Sequence, residues 1–201
     1  MKNKMTVTLV LLAAGLSLAQ AQSSASREES LKAAFALSAD LSQMLNTPIP
    51  TDPDVKRPVA VREGERGALA MPECKLTPET LAKVGKDVVP VGQLWLRKVT
   101  LQSEGRAIRD TKLQVVEIAT GQQTASVSLH ALAVQKNADG KLQLLIFGKD
   151  KEPILTVPLK EISTKQESPI EMTGTQQGDG AELTLKIVGK YEASFSVGSS
   201  E

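Results

Sequence analysis

His130 is the single imidazole of this chain. It lies in the run TASVSLHALAVQK, residues 124–136, with Ser126 and Ser128 at alternate positions before it. If the run is a strand, alternation places Ser126, Ser128 and His130 on one face. A serine and a histidine two residues apart are the raw material for base-assisted nucleophilic attack, and a hydrolase using His130 is one reading of the chain. That chemistry also needs a sharply presented serine and an oxyanion hole, which a regular strand does not supply, and the chain has no G-x-S-x-G elbow. The simpler expectation is a polar residue on the wet side of a strand, and no catalytic residue is assigned.

The other chemistry-bearing side chains lead to the same result. Cys74, Met71 and His130 form the one soft donor set, but Pro72 and Glu73 separate the two sulfurs and nothing in the sequence brings His130 near. Structural zinc takes four Cys or His ligands, and this chain holds one of each. The acidic turns NADG and GDG carry one carboxylate apiece, too few for a calcium loop. No metal or cofactor is expected. Cys74 stands in AMPECKLTPETLAKVG, where Lys75 and Glu73 offset one another. The stretch reads as a hinge tacked down by Met71, Cys74 and Leu76, with intermolecular pairing of the thiol as the main rival. Trp95, in VGQLWLRKV, falls on the face opposite Leu94 and Leu96; its ring covers part of the sheet or stands out as an anchor for a partner.

The elements that position these residues are punctuated by proline, glycine and period-two alternation. Seven of the ten prolines fall between Asn46 and Pro90, so residues 46–90 read as an extended linker with a short helix at 78–84, capped by Thr77 and opened by Pro78. Within it PVAVR and ALAM flank EGERG as a small edge hairpin. Residues 91–198 read as an antiparallel β domain of about eight strands. Ala181, Leu183, Leu185 and Ile187 alternate with polar residues, as do Tyr191, Ala193, Phe195 and Val197. Asp139-Gly140 and the TQQGDGAE stretch are hairpin signals, and LQLLIFG, apolar on both faces, reads as a central strand. The fold class is therefore mainly β, a sandwich or a flattened barrel.

Ahead of the linker, residues 22–45 read as an amphipathic helix whose stripe is Leu31, Ala34, Phe35, Leu41, Met44 and Leu45. Residues 1–21 read as a signal peptide, with Lys2 and Lys4 before an apolar run and Ala19-Gln20-Ala21 at its end. The expected destination is periplasmic or secreted, after cleavage near Ala21, with no transmembrane segment in the mature chain.

Cleavage would remove two of the 24 basic residues and none of the 23 acidic ones, leaving 22 against 23. A surface so evenly charged lacks the clustered cations that nucleic acid or anionic lipid requires. Aromatic residues number five, too few for a stacking platform or for the girdles of a membrane barrel. The function expected is that of an exported, non-enzymatic module of the cell envelope, binding an envelope protein or itself through sheet edges or the Trp95 surface. The alternative is a periplasmic carrier of a small hydrophobic ligand or lipid.

Overall fold

The computed structural model describes residues 47–120 and 123–200, together with Lys32. The expected signal peptide (1–21) and amphipathic helix (22–45) lie outside the described residues. In chain order the elements are β1 (Val59–Glu63), β2 (Arg66–Pro72), the helix α1 (Pro78–Ala82), β3 (Val89–Arg97), β4 (Val99–Ser103), β5 (Arg106–Ala107), β6 (Gln114–Thr120), β7 (Gln123–Lys136), β8 (Leu142–Phe147), β9 (Pro153–Pro158), β10 (Lys160–Glu161), β11 (Ile170–Gln177), β12 (Gly180–Ile187) and β13 (Tyr191–Ser199).

The strands form two antiparallel sheets stacked as a sandwich, not a closed barrel. The first runs β1-β2-β3-β7-β8-β9, with β6 also on β7; the second runs β11-β12-β13-β4-β5, with β10 also on β13. The chain crosses from the first sheet to the second at Lys98, the single residue between β3 and β4, whose φ is 54°. A non-glycine side chain in the left-handed region carries strain, and here it accomplishes a sheet change in one residue.

The two hairpins expected from turn signals both form. Asn137 Oδ1 accepts from the backbone N–H groups of Asp139 and Lys141 at 3.0 and 2.9 Å, and Gly140 takes a φ of 75° that its lack of Cβ permits. At the second, Gln177 pairs with Gly180 across Gly178-Asp179.

The core between the sheets is where alternation was clearest. Leu183, Leu185 and Ile187 of β12 are 1%, 0% and 0% exposed, facing Leu94, Leu132, Leu144 and Ile146 of the first sheet at 0%. Burying each such side chain is worth about 1.5–3 kcal/mol. A void between the sheets wide enough for a water-sized sphere would leave accessible area on the side chains lining it, and these have almost none. β8 is central as expected, with Leu144 and Ile146 turned inward, Leu145 and Phe147 outward, and all four buried.

The expected linker at 46–90 is instead structural. β1 and β2 do pair as a hairpin, but β2 continues into β3, so the first sheet begins at Val59 and a boundary at residue 91 would cut through β3. Upstream of β1, Asp54 N–H donates to Pro72 O at 2.7 Å and Cys74 N–H to Asp52 O at 2.9 Å. Prolines suit this edge position because a strand on the rim needs only one side of its backbone paired. The strand total also exceeds the eight expected, reaching thirteen among the described residues, because β1, β2 and short pieces such as β5 and β10 join the sheets. No helix among the described residues is long and apolar enough to cross a membrane.

Candidate functional site

His130 and Ser128 do meet, but inside the protein. His130 lies opposite Leu94 in the β3–β7 register, which turns it into the space between the sheets, and it is 0% exposed. Its Nδ1 is 3.1 Å from Phe147 O and its Nε2 is 3.0 Å from Ser128 Oγ. A carbonyl oxygen can only accept, so Nδ1 carries the proton and Nε2 accepts from the Ser128 hydroxyl. The expectation of a wet-face histidine is thus corrected. Sequence polarity suggested solvent, but the second sheet stacks over this face and the ring satisfies both nitrogens locally.

Burial lowers the His130 pKa to about 4, against the smaller opposing effect of the Phe147 carbonyl. Taking a proton from Ser128 would place an imidazolium in an apolar interior with a neutral carbonyl, not a carboxylate, on its far nitrogen, which the low pKa marks as unfavourable. Ser126, on the same face, does not join them; its hydroxyl donates to the Glu117 carboxylate across the β6–β7 pair. The geometry gives Ser128 and His130 the role of a satisfied buried polar pair.

The soft donor set is split by the sheet itself. Met71 packs with Leu69 and Trp95 on the outer face, His130 points inward, and Cys74 lies beyond the end of β2. Among the described residues no group of three or more His, Cys, Asp or Glu side chains could hold a metal ion.

Trp95 is 2% exposed, which overturns the exposed-anchor reading. Its Nε1 donates to Gln93 Oε1 at 3.1 Å, and Gln93 Nε2 donates onward to Thr51 Oγ1 at 2.7 Å. This relay lies on the outer face, beneath the strap formed by residues 51–54, and gives each buried polar atom of Gln93 a partner.

Cys74 is free and exposed, so it is not the packed tack expected; Met71 and Leu76 are buried at 0% and 5%. The strap explains the difference, since its pairing to Cys74 holds the backbone at the rim. Local desolvation and then the carboxylates of Asp52, Asp54 and Glu73 push its thiol pKa up. Because the thiolate is the attacking form, iodoacetamide at pH 8 is expected to label the folded chain at Cys74 more slowly than the urea-unfolded chain. Faster labelling of the folded form would contradict the acidic setting.

Sequence reading missed an open strand edge, the outer side of β6. β7 is fourteen residues long and pairs with β3 only from Ser128 to Val134, so the β6–β7 hairpin runs on past β3 as a two-stranded ribbon. Thr120 and Gln123 form its last pair around a two-residue loop, which must be a hydrogen-bonded pair. Counting back, the backbone groups of Glu117 and Val115 point away from β7, and no described strand pairs with them. Val115 is 55% exposed, the most exposed large aliphatic among the described residues.

On the other side of the same ribbon, β7 residues 123–127 are likewise uncovered by any described strand; the remaining edges are protected. Proline begins and ends β9, β1 and β11 lie against each other, and β5 and β10 are two residues each. β6, QVVEIAT, has no proline and no lysine, the usual means of blunting an edge. The signal that could have found it was the length of the 124–136 run, longer than any neighbour able to cover it.

A second surface feature is an open polar groove between the β1–β2 turn and the C-terminal strand. Lys98 pairs there with Glu65, and Arg66 Nη2 donates to Ser199 Oγ at 3.3 Å. Its lining holds two carboxylates, Glu63 and Glu65, and two cations, Arg66 and Lys98, so it offers no unbalanced sign to a ligand. No protein-family model, curated protein or solved structure matches this chain.

Proposed function

We propose that this chain is an exported, non-enzymatic binding module of the cell envelope that takes an extended segment of a partner protein, or of a second copy, as an added strand on β6. The observation that carries this reading is the proline-free outer edge of β6, with which no described strand pairs, and Val115 exposed beside it. Strand addition draws affinity from main-chain hydrogen bonds and specificity from alternate side chains, here Val115 and Glu117. The carrier alternative draws no support from the space between the sheets, whose side chains are packed.

Pull-down from envelope extract, with size-exclusion chromatography alongside, tests the reading. The Glu117→Pro variant removes one outward N–H without touching the β6–β7 ladder. It is expected to reduce partner retention or self-association at least tenfold while leaving thermal unfolding nearly unchanged. A strictly monomeric protein that retains no partner, or capture undiminished in Glu117→Pro, would count against it.

A further inference from the structure

The open edge of β6 is blocked at one end and charged at its middle. β3 and β6 both pair with Ser128 and Leu129, so they take opposite edges of β7; β3 and β8 both pair with Leu132, Ala133 and Val134, which puts β8 on the edge that β6 uses. β6 and β8 therefore lie end to end. β9, on the far side of β8, occupies the line that a strand added to β6 would follow. That line is closed at Pro153, which pairs with Phe147 and so stands level with Ala131, two residues along β7 from Leu129, the partner of Gln114. Lys149 N–H donates to Lys112 O at 3.1 Å across the junction. Val115 and Glu117 are both exposed on one face of the ribbon. Ser126 Oγ donates to Glu117 Oε1 from the β7 side, and among the described residues no cation pairs with this carboxylate.

We infer that the strand taken up by β6 belongs to a different chain and carries a lysine or arginine facing Glu117 and an apolar residue facing Val115. The inference rests on the strand-addition reading and names the chemistry of its guest. Opposite charges directly across a strand pair stabilise it and like charges oppose it. Every pairing among the described strands is antiparallel, and that ladder is the more stable per residue. An antiparallel guest runs the same way as β9 and ends short of Pro153, with its cation two positions before its apolar residue. A second copy is the poorer guest. The backbone groups of Val115, Glu117 and Ala119 face outward, so a two-fold pairing of β6 with itself must match members of this set. Centred on Glu117, it sets two carboxylates face to face. Centred on Val116, it drives the second copy's Thr120 to the level of Pro153, and centred on Ile118 it leaves Val115 opposite the second copy's hairpin loop.

Fluorescence polarisation with two labelled heptapeptides tests this on the full chain. Both are threonine throughout except for valine at the fifth position and, at the third, lysine in one and glutamate in the other. Wild type is expected to bind the lysine peptide about fivefold more tightly than the glutamate peptide at low salt. The preference should fade in about 1 M salt and reverse in Glu117→Lys. Failure of wild type to bind the lysine peptide would overturn the inference, and equal binding of a third peptide with lysine and valine exchanged would overturn the antiparallel direction. If both peptides bind wild type equally and neither binds Glu117→Pro, the charge pairing is overturned while strand addition on β6 stands. A wild-type dimer in size-exclusion chromatography that dissociates in Glu117→Pro would likewise make the second copy the guest. Peptide binding undiminished in Glu117→Pro would overturn the strand-addition reading itself.

Discussion

Lowering the pH from 7 to 4 is expected to cost this protein about 3 kcal/mol of folding free energy through His130 alone. In the folded chain the ring is neutral, and its pKa is about 4 against an ordinary value of 6.5. The unfolded chain therefore binds a proton first as pH falls. Stability linked to this group is complete above about pH 6.5 and is lost between there and about pH 4, after which it no longer changes. The cause is desolvation, because an imidazolium at this position would face Leu94 and its neighbours with one neutral carbonyl and one hydroxyl for company.

Urea unfolding at a series of pH values measures the slope, and His130→Gln isolates it. Glutamine can still donate to Phe147 O or accept from Ser128 but has nothing to titrate. Glu73 acts in the opposite direction, since burial raises its carboxyl pKa and it takes up its proton earlier in the folded state. Its contribution is common to both proteins and cancels in the difference. If wild type and His130→Gln lose stability in parallel between pH 6.5 and 5, the neutral buried imidazole is refuted.

Trp95→Ala is expected to be the most damaging single truncation on the outer face, costing about 3–5 kcal/mol. The ring fills the cluster formed with Leu69, Met71, Val127 and Leu129, and its removal also leaves Gln93 Oε1 without its donor. Wild-type emission should be blue-shifted and resist acrylamide. Val115→Ala provides the contrast. At 55% exposure Val115 contributes little to the fold, so its loss should shift stability by less than about 0.5 kcal/mol. Similar losses for the two variants would mean that Trp95 does not belong to the core. Because Trp95 and Val115 lie on opposite faces of the first sheet, the pair also separates core packing from the open β6 edge.

Much of the architecture was legible from local chemistry. The alternation along β12 and β13, Asp139-Gly140, Gly178-Asp179 and the Thr77-Pro78 helix start all act over a few residues, and each formed where its residues indicated. The helix also gains a detail that spacing alone did not suggest. Thr80 closes a capping box, its hydroxyl accepting from Thr77 N–H at 3.0 Å while Thr77 Oγ1 accepts from Thr80 N–H at 3.3 Å.

The misreadings share one cause. Ser128 and His130 read as wet-face residues because polar residues on a strand usually face water, and the same expectation left an exposed Trp95 open as a reading. That rule presumes a sheet with one solvated side. Here the second sheet covers one face of β3 and β7, while the 51–54 strap and Ile49 reach the other, so polar side chains on both faces are buried and bonded to one another. The proline-rich segment was misread for a related reason. Proline forbids a central strand but not an outer one, and whether residues 51–54 find a rim to pair with depends on where β2 ends.

By itself, then, the sequence determined the β class, the period-two strands and the turns between them, because these follow from dihedral preference and side-chain alternation within a few residues. Tertiary structure decided which faces are dry, which edge is left open and whether His130 could act as a base. Those properties belong to pairs of segments far apart in the chain, and solvent is excluded from a face only when another layer is laid upon it.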